Sequence, residues 1–326
     1  MYMRFIDLFC GAGGLSWGLV QAGWTPLCGV DADEASLRTY AKNIKASTLH
    51  VNIAHPSTLQ TLLGMYTNVD AVVGGPPCQG FSKNNSRKKK GDVRLTMPHV
   101  FVDMATQFKP KYIILEEVPE FKRLDGGNIH WKTIHMLAQR GYEYVREGTL
   151  LASDYGAATT RRRHIIVAYR NEVDAPRVWP PPKTVETPKS VRCAWRENPP
   201  RGKDAEPHSR PIRPEVQEKI ATFDRAPGIS TYFSGAYKPM LLDKPAVTLT
   251  TFCFAPGSGR FAVPDGIGYR RLTVHEAKVI QGFGSRSFFF LQPEGALKSS
   301  NKAYRQIGNS VSPPMARAIA DALKRY

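Results

Sequence analysis

The chain of 326 residues carries 45 Lys and Arg against 28 Asp and Glu, a formal charge of +17, with 42% hydrophobic and 22% charged residues. At about 100–200 residues per domain this is one large domain or two modest ones with a sizeable core, which excludes short disulfide scaffolds, wholesale disorder, collagen and coiled coil. The positive excess implies attraction to a polyanion such as nucleic acid, without saying which nucleic acid. No run of about 18 apolar residues is present, and the opening MYMRFIDLF enters a strand-like pattern with no charged-then-apolar leader. The expectation is a soluble, unexported protein. Cys10, Cys28, Cys78, Cys193 and Cys253 are an odd, scattered set without a C-x-x-C pair. That argues against a disulfide framework and against a zinc site, so any cysteine chemistry is nucleophilic.

In chain order, short apolar runs at 4–9, 26–30, 71–73, 112–115 and 164–169 alternate with helical spacing at 15–22, 34–43, 97–108 and 128–139. This predicts βαβ units and an α/β fold with a mostly parallel, doubly wound sheet. After Tyr169 the texture changes. Pro180, Pro181, Pro182 and Pro188, then Pro199, Pro200, Pro207, Pro211 and Pro214 among basic residues, cannot continue a parallel sheet, because proline lacks the ladder donor. A second, smaller module begins near here and extends to about Tyr269, after which 273–281 and 314–324 are helical again. The expected division is 1–170, 171–269 and 270–326, the last returning to the first.

Four places carry chemistry. Phe5-Ile-Asp-Leu-Phe-Cys-Gly-Ala-Gly-Gly14 is a strand running into a glycine turn and a helix, where backbone amides and the helix dipole receive a ligand. Asp31 ends the next strand 18 residues after Gly13, at the spacing that places a carboxylate on ribose hydroxyls, so a nucleoside cofactor is favoured. In Gly74-Gly-Pro-Pro-Cys78 the strand stops abruptly and a stiff loop aims Cys78 into the crevice. The basic run Arg87-Lys88-Lys89-Lys90 beyond it is placed to clamp phosphates. Glu116 follows four apolar residues, a costly site for a carboxylate without a partner. In Thr159-Thr-Arg-Arg-Arg-His164, strand alternation puts Arg161 and Arg163 on one face and Arg162 on the other.

These blocks, in this order, resemble the DNA (cytosine-5)-methyltransferase family. Phe5–Gly14 is similar to its first cofactor motif, Gly75-Pro-Pro-Cys-Gln79 to its nucleophile loop, Leu115-Glu-Glu-Val118 to its Glu-Asn-Val motif and Thr159–Arg163 to its Gln-x-Arg-x-Arg motif. Arg271–Phe283 and Tyr304-Arg-Gln-Ile-Gly-Asn-Ser-Val311 are similar to its ninth and tenth motifs. The resemblance implies a Rossmann-like, S-adenosylmethionine-dependent methyltransferase sheet, with a target-recognition domain at 171–269 that reads the major groove. The implied reaction moves a methyl group to C5 of a flipped-out cytosine in a short DNA sequence through a covalent Cys78–C6 adduct. Its implied catalytic residues are Cys78, Glu116, Arg161 and Arg163. The implied cofactor residues are Phe9, Gly11, Gly13, Gly14, Leu15, Asp31, Ala32, Asn52, Ile53, Pro77, Asn309, Ser310 and Val311. Gln79, Ser82, Arg87, Lys88, Lys89, Lys90 and Arg94 are the implied DNA contacts.

The sequence departs from the family pattern at Glu117 (usually Asn), Thr159 (usually Gln), Asn52 (usually acidic) and Ala32 (often aromatic). Also expected are a monomer on double-stranded DNA, no metal, no membrane, a cytoplasmic location in a prokaryote or phage-bearing cell, and a cognate restriction endonuclease. An RNA cytosine-5 methyltransferase of the same fold and a catalytically weak DNA-binding relative are the alternatives.

Overall fold

The computed structural model describes residues 3–77, 96–176, 178–200, 211–225, 235–266, 268–284, 288–291 and 300–323. Contacts divide the chain into two compact units. The first comprises Met1–Leu151, Arg162–Pro182 and Met315–Tyr326; the second comprises Ala152–Arg161 and Lys183–Pro314.

The first unit begins with β1 (Arg4–Leu8), α1 (Gly14–Gln21), β2 (Thr25–Asp31), α2 (Glu34–Ile44), β3 (Ser47–His50) and α3 (Pro56–Met65). It continues with β4 (Ala71–Gly74), α4 (Met97–Gln107), β5 (Tyr112–Glu117), a 3₁₀ segment (Pro119–Gly127), α5 (Asn128–Gln139), β6 (Tyr144–Leu151) and β7 (Arg162–Tyr169). The strands form one sheet in the order β3-β2-β1-β4-β5-β7-β6. β3 to β5 pair in parallel, whereas β7 runs antiparallel to both β5 and β6. All six residues of β5 are buried, as are Phe5, Ile6 and Leu8 of β1 and Val72 and Val73 of β4. Helices therefore cover both faces, which is why these strands read as unbroken apolar runs. The order reverses between β1 and β4, and their carboxyl ends open the crevice where doubly wound sheets bind ligands.

The expected strand 4–9 stops at Leu8, because Phe9 turns into the left-handed region at φ 61°. β3 and β6 carried no apolar run in the sequence; both are mostly exposed or half-buried.

The second unit holds α6 (Val191–Glu197), α7 (Pro214–Arg225), the hairpin β8 (Ala262–Asp265) and β9 (Gly268–Arg271), α8 (Val274–Gln281) and α9 (Ser300–Asn309); α10 (Pro313–Leu323) closes the chain. Leu249, Cys253, Phe261, Leu272, Ile280, Tyr304 and Ile307 form its core. α8 starts in a capping box, with Thr273 and Glu276 satisfying each other's backbone N–H. Among the described residues no helix is long and apolar enough to cross a membrane.

Candidate active site

β1 delivers the chain to a turn that side chains rarely allow. Phe9, Gly11 and Gly13 have φ values of 61°, 52° and 93°. A Cβ on Gly13 would stand 2.9 Å from the Tyr40 ring of α2, so this glycine is needed for packing. A Cβ on Gly11 would meet nothing within 4 Å, leaving open space above the backbone. The Gly11 N–H donates to Asp31 Oδ2 at 2.8 Å, and the Asp33 N–H donates to Oδ1 at 2.9 Å. Burial pushes the Asp31 carboxyl up and these two backbone bonds pull it back. The sequence-predicted Gly11 and Asp31 are thus brought together, with Gly14 and Leu15 opening α1 beside them.

Beneath the turn, Asp7 is 1% exposed, and the Ser16 hydroxyl donates to its Oδ2 at 2.5 Å. Burial lifts its pKa to about 8 against the lowering effect of Ser16, with the charge of Asp31 adding to the rise. Asp7 Oδ1 is buried without a hydrogen-bond partner among the described residues. Burial also drives the Cys10 thiol well above its usual range, so this cysteine is an inert core group.

The remaining residues expected on the cofactor side have local duties. Ala32 is exposed and its carbonyl lies 3.0 Å from His50 Nε2. Asn52 Oδ1 accepts from the Ala54 N–H at 3.1 Å, and Ile53 is buried in the core. His50 was missed by the sequence reading, because β3 shows no apolar pattern to mark its end.

The crevice wall is built across four strands. A Cβ on Gly74 would stand 2.1 Å from the Leu8 carbonyl, so β1 and β4 approach as closely as glycine alone permits. A Cβ on Gly75 would stand 2.6 Å from Glu116 Oε2. The backbone leading to Pro76 and half-buried Pro77 therefore passes directly over the Glu116 carboxylate. Arg163 Nε lies 2.6 Å from Glu116 Oε1, with side chains 14% and 11% exposed. Register explains the pair: Glu116 faces Ile165 across β5 and β7, and Arg163 lies two residues from Ile165 on the same face. Cys78, Gln79, Ser82, Arg87, Lys88, Lys89, Lys90 and Arg94 lie outside the described residues.

Arg161 is bonded within the second unit. It precedes β7, is 1% exposed, and donates from Nη1 to the Leu249 carbonyl at 3.4 Å inside the second unit. Its neighbours follow the same course. Thr159 Oγ1 donates to the Val247 carbonyl at 3.3 Å, and the Thr160 N–H donates to the Ala246 carbonyl at 2.8 Å. Glu117 is 2% exposed and stands opposite His164 in register, so this departure from the family pattern falls on the face opposite Glu116.

Asn309, Ser310 and Val311 close α9 in the second unit. A Cβ on Gly308 would stand 2.5 Å from the Thr250 backbone, which ties the turn to the 248–251 stretch. The Ser310 carbonyl accepts from Gln281 Nε2 at 2.6 Å, joining the turn to α8, while Asn309 is exposed.

Comparison with known proteins decides the family. A sequence model described as C-5 cytosine-specific DNA methylase matches residues 3–325. The chain belongs to that family. It is 30% identical to the Type II methylase M.HgiDII of Herpetosiphon aurantiacus, across 98% of this chain and 95% of that relative. It is 29% identical to the Type II methyltransferase M.AplI of Arthrospira platensis, across 98% and 85%. The fold matches the Entamoeba histolytica methyltransferase EhMeth with a TM-score of 0.74 at 19% identity, across 99% and 98%. As a C-5 cytosine-specific DNA methylase, the chain acts on cytosine in DNA, and the sheet is the methyltransferase sheet expected from the sequence.

Proposed function

We propose that this methylase uses Cys78 as its nucleophile, S-adenosylmethionine as methyl donor and double-stranded DNA as acceptor, modifying one extruded cytosine in a short target. The observation that carries the reading is the buried Glu116–Arg163 pair, roofed by the Gly75 backbone three residues before Cys78. Cytosine C5 is a poor nucleophile. Addition of the Cys78 thiolate to C6 moves the C5=C6 electrons toward C5 and the N3–O2 side of the ring. Glu116 gives a proton to N3 and Arg163 donates to O2, meeting charge where it develops. After methylation at C5, removal of the C5 proton and elimination at C6 release Cys78.

The cofactor residues present fit the donor. Open space above Gly11, the Asp31 carboxylate fixed by two backbone amides, and the unmatched buried oxygen of Asp7 make a cradle for a polar nucleoside ligand. The proposed cofactor side within the first unit comprises Phe9, Gly11, Gly13, Gly14, Leu15, Asp31, Ala32, Asn52, Ile53 and Pro77. When bound, the donor supplies an electrophilic methyl group. Positive charge at Arg87–Lys90 holds phosphates while the base is out, at a cost of a few kcal/mol of unstacking. The Type II relatives support a place beside a cognate restriction endonuclease in a bacterial cytoplasm. A monomer and a target-recognition role for 171–269 complete the reading.

Bisulfite sequencing of DNA from cells expressing the chain tests it. The expected result is conversion-resistant cytosine at one position of one short sequence. Uniform conversion, or methylation of tRNA in place of duplex DNA, would contradict it.

A further inference from the structure

Behind the Glu116–Arg163 pair, on the opposite face of the same strands, three metal-ligating side chains converge. His130 of α5, Glu147 of β6 and His164 of β7 have donor atoms that all lie within 4.8 Å of one another. His130 Nε2 stands 2.7 Å and His164 Nε2 3.2 Å from the same oxygen, Glu147 Oε2. The register makes this convergence exact in phase: Thr149 faces His164 across β6 and β7, and Glu147 is two residues from Thr149 on that face. Phe121 walls the cluster, edge-on to His130 and stacked on His164.

We infer that His130, Glu147 and His164 form a binding site for one divalent transition ion of the zinc class. Two imidazoles and one carboxylate are the donor set of zinc and its neighbours, whereas magnesium and calcium take oxygen almost exclusively. Two ligands held at about 2.1 Å in a tetrahedron lie about 3.4 Å apart, so the two spacings to Glu147, 2.7 and 3.2 Å, need to open by less than about an ångström. Metal ligands are oriented by outer hydrogen bonds, and Glu147 and His164 each have such a neighbour. Lys122 Nζ holds the other carboxylate oxygen, Oε1, at 2.5 Å, and Thr149 Oγ1 stands 3.4 Å from His164 Nδ1. The Glu147 side chain is 26% exposed and His130 18%, which leaves an approach for the ion and for a water in the fourth position. The ion ties α5, β6 and β7 together; no step at Cys78 uses it. The expectation of no zinc site and no metal was drawn from the scattered cysteines alone and did not weigh these donors.

The test is titration of metal-free protein with Co²⁺ in thiol-free buffer, followed by visible absorption and melting temperature. The inference expects one equivalent of low-coordinate Co²⁺ per chain, without a thiolate charge-transfer band, and a raised melting temperature. Glu147→Gln, which keeps the shape of the side chain, and His130→Gln should each weaken uptake at least tenfold, whereas Lys122→Met should retain it. Circular dichroism confirms that each variant is folded, and either ligand variant suffices if the other is not. No uptake by the parent protein would overturn the inference and leave a hydrogen-bonded hub whose cation is Lys122. So would uptake unchanged in the ligand variants, or a thiolate band.

Discussion

On the front of the β5–β7 strand pair, Glu116 and Arg163 stand 2.6 Å apart in a nearly dry site, and the Gly75 backbone presses against the Glu116 side chain. One residue further along each strand, Glu117 and His164 face the other way, where Glu147 gathers contacts from Lys122, His130 and His164. In the proposed reaction a base entering between Glu116 and Arg163 would exchange their mutual contact for contacts at N3 and O2. The rear cluster links α5, β6 and β7 through one carboxylate. Two sets of charged groups on the same strands therefore differ in what their surroundings leave them free to do.

The largest effect should come from the front. Glu116→Gln removes the group proposed to protonate N3, and the single-turnover rate constant of methylation should fall by roughly 10²–10⁴-fold. A change confined to DNA affinity would break the contrast. Next is Gly75→Ala, whose added Cβ would stand 2.6 Å from Glu116 Oε2 and must displace the carboxylate or the loop. A misplacement approaching 1 Å at the reacting groups costs about 10²-fold in rate, with duplex binding in a filter or fluorescence assay little changed.

The rear cluster should register in stability instead. Glu147 is depressed to about 2 from an ordinary value near 4.5, so its contribution is complete above pH 4.5 and lost as pH falls toward 2. Urea titrations across that window should show a loss on the order of 2 kcal/mol that Glu147→Gln lacks. Asp7 gives the opposite sign. Its pKa of about 8 lies above the unfolded value, so the cost of burying it grows from about pH 4 to pH 8. Asp7→Asn should flatten that slope in the same titrations.

Gly11, Asp31, Gly75, Glu116 and Arg163 were legible because each sits where an apolar strand gives way to a glycine or a charge, a combination costly without a use. The parallel core was legible for the same reason: its strands are buried on both faces. The edges were not. β3 and β6 carry no unbroken apolar run, so nothing singled out His50 or Glu147. Arg161 looked like a twin of Arg163, but β7 begins one residue later, and its partner Leu249 lies 88 positions away, beyond any local pattern. His130 and His164 meet only through the β6–β7 register and the packing of α5, which no spacing in the chain announces.

The most direct measurement is covalent trapping on duplex DNA carrying 5-fluorocytosine at the target position, where the fluorine prevents the final loss of the C5 substituent. The parent chain, supplied with S-adenosylmethionine, should form a denaturant-resistant adduct that Cys78→Ser does not. Absence of an adduct from a chain that methylates ordinary duplex, or full-rate methylation by Cys78→Ser, would contradict the account.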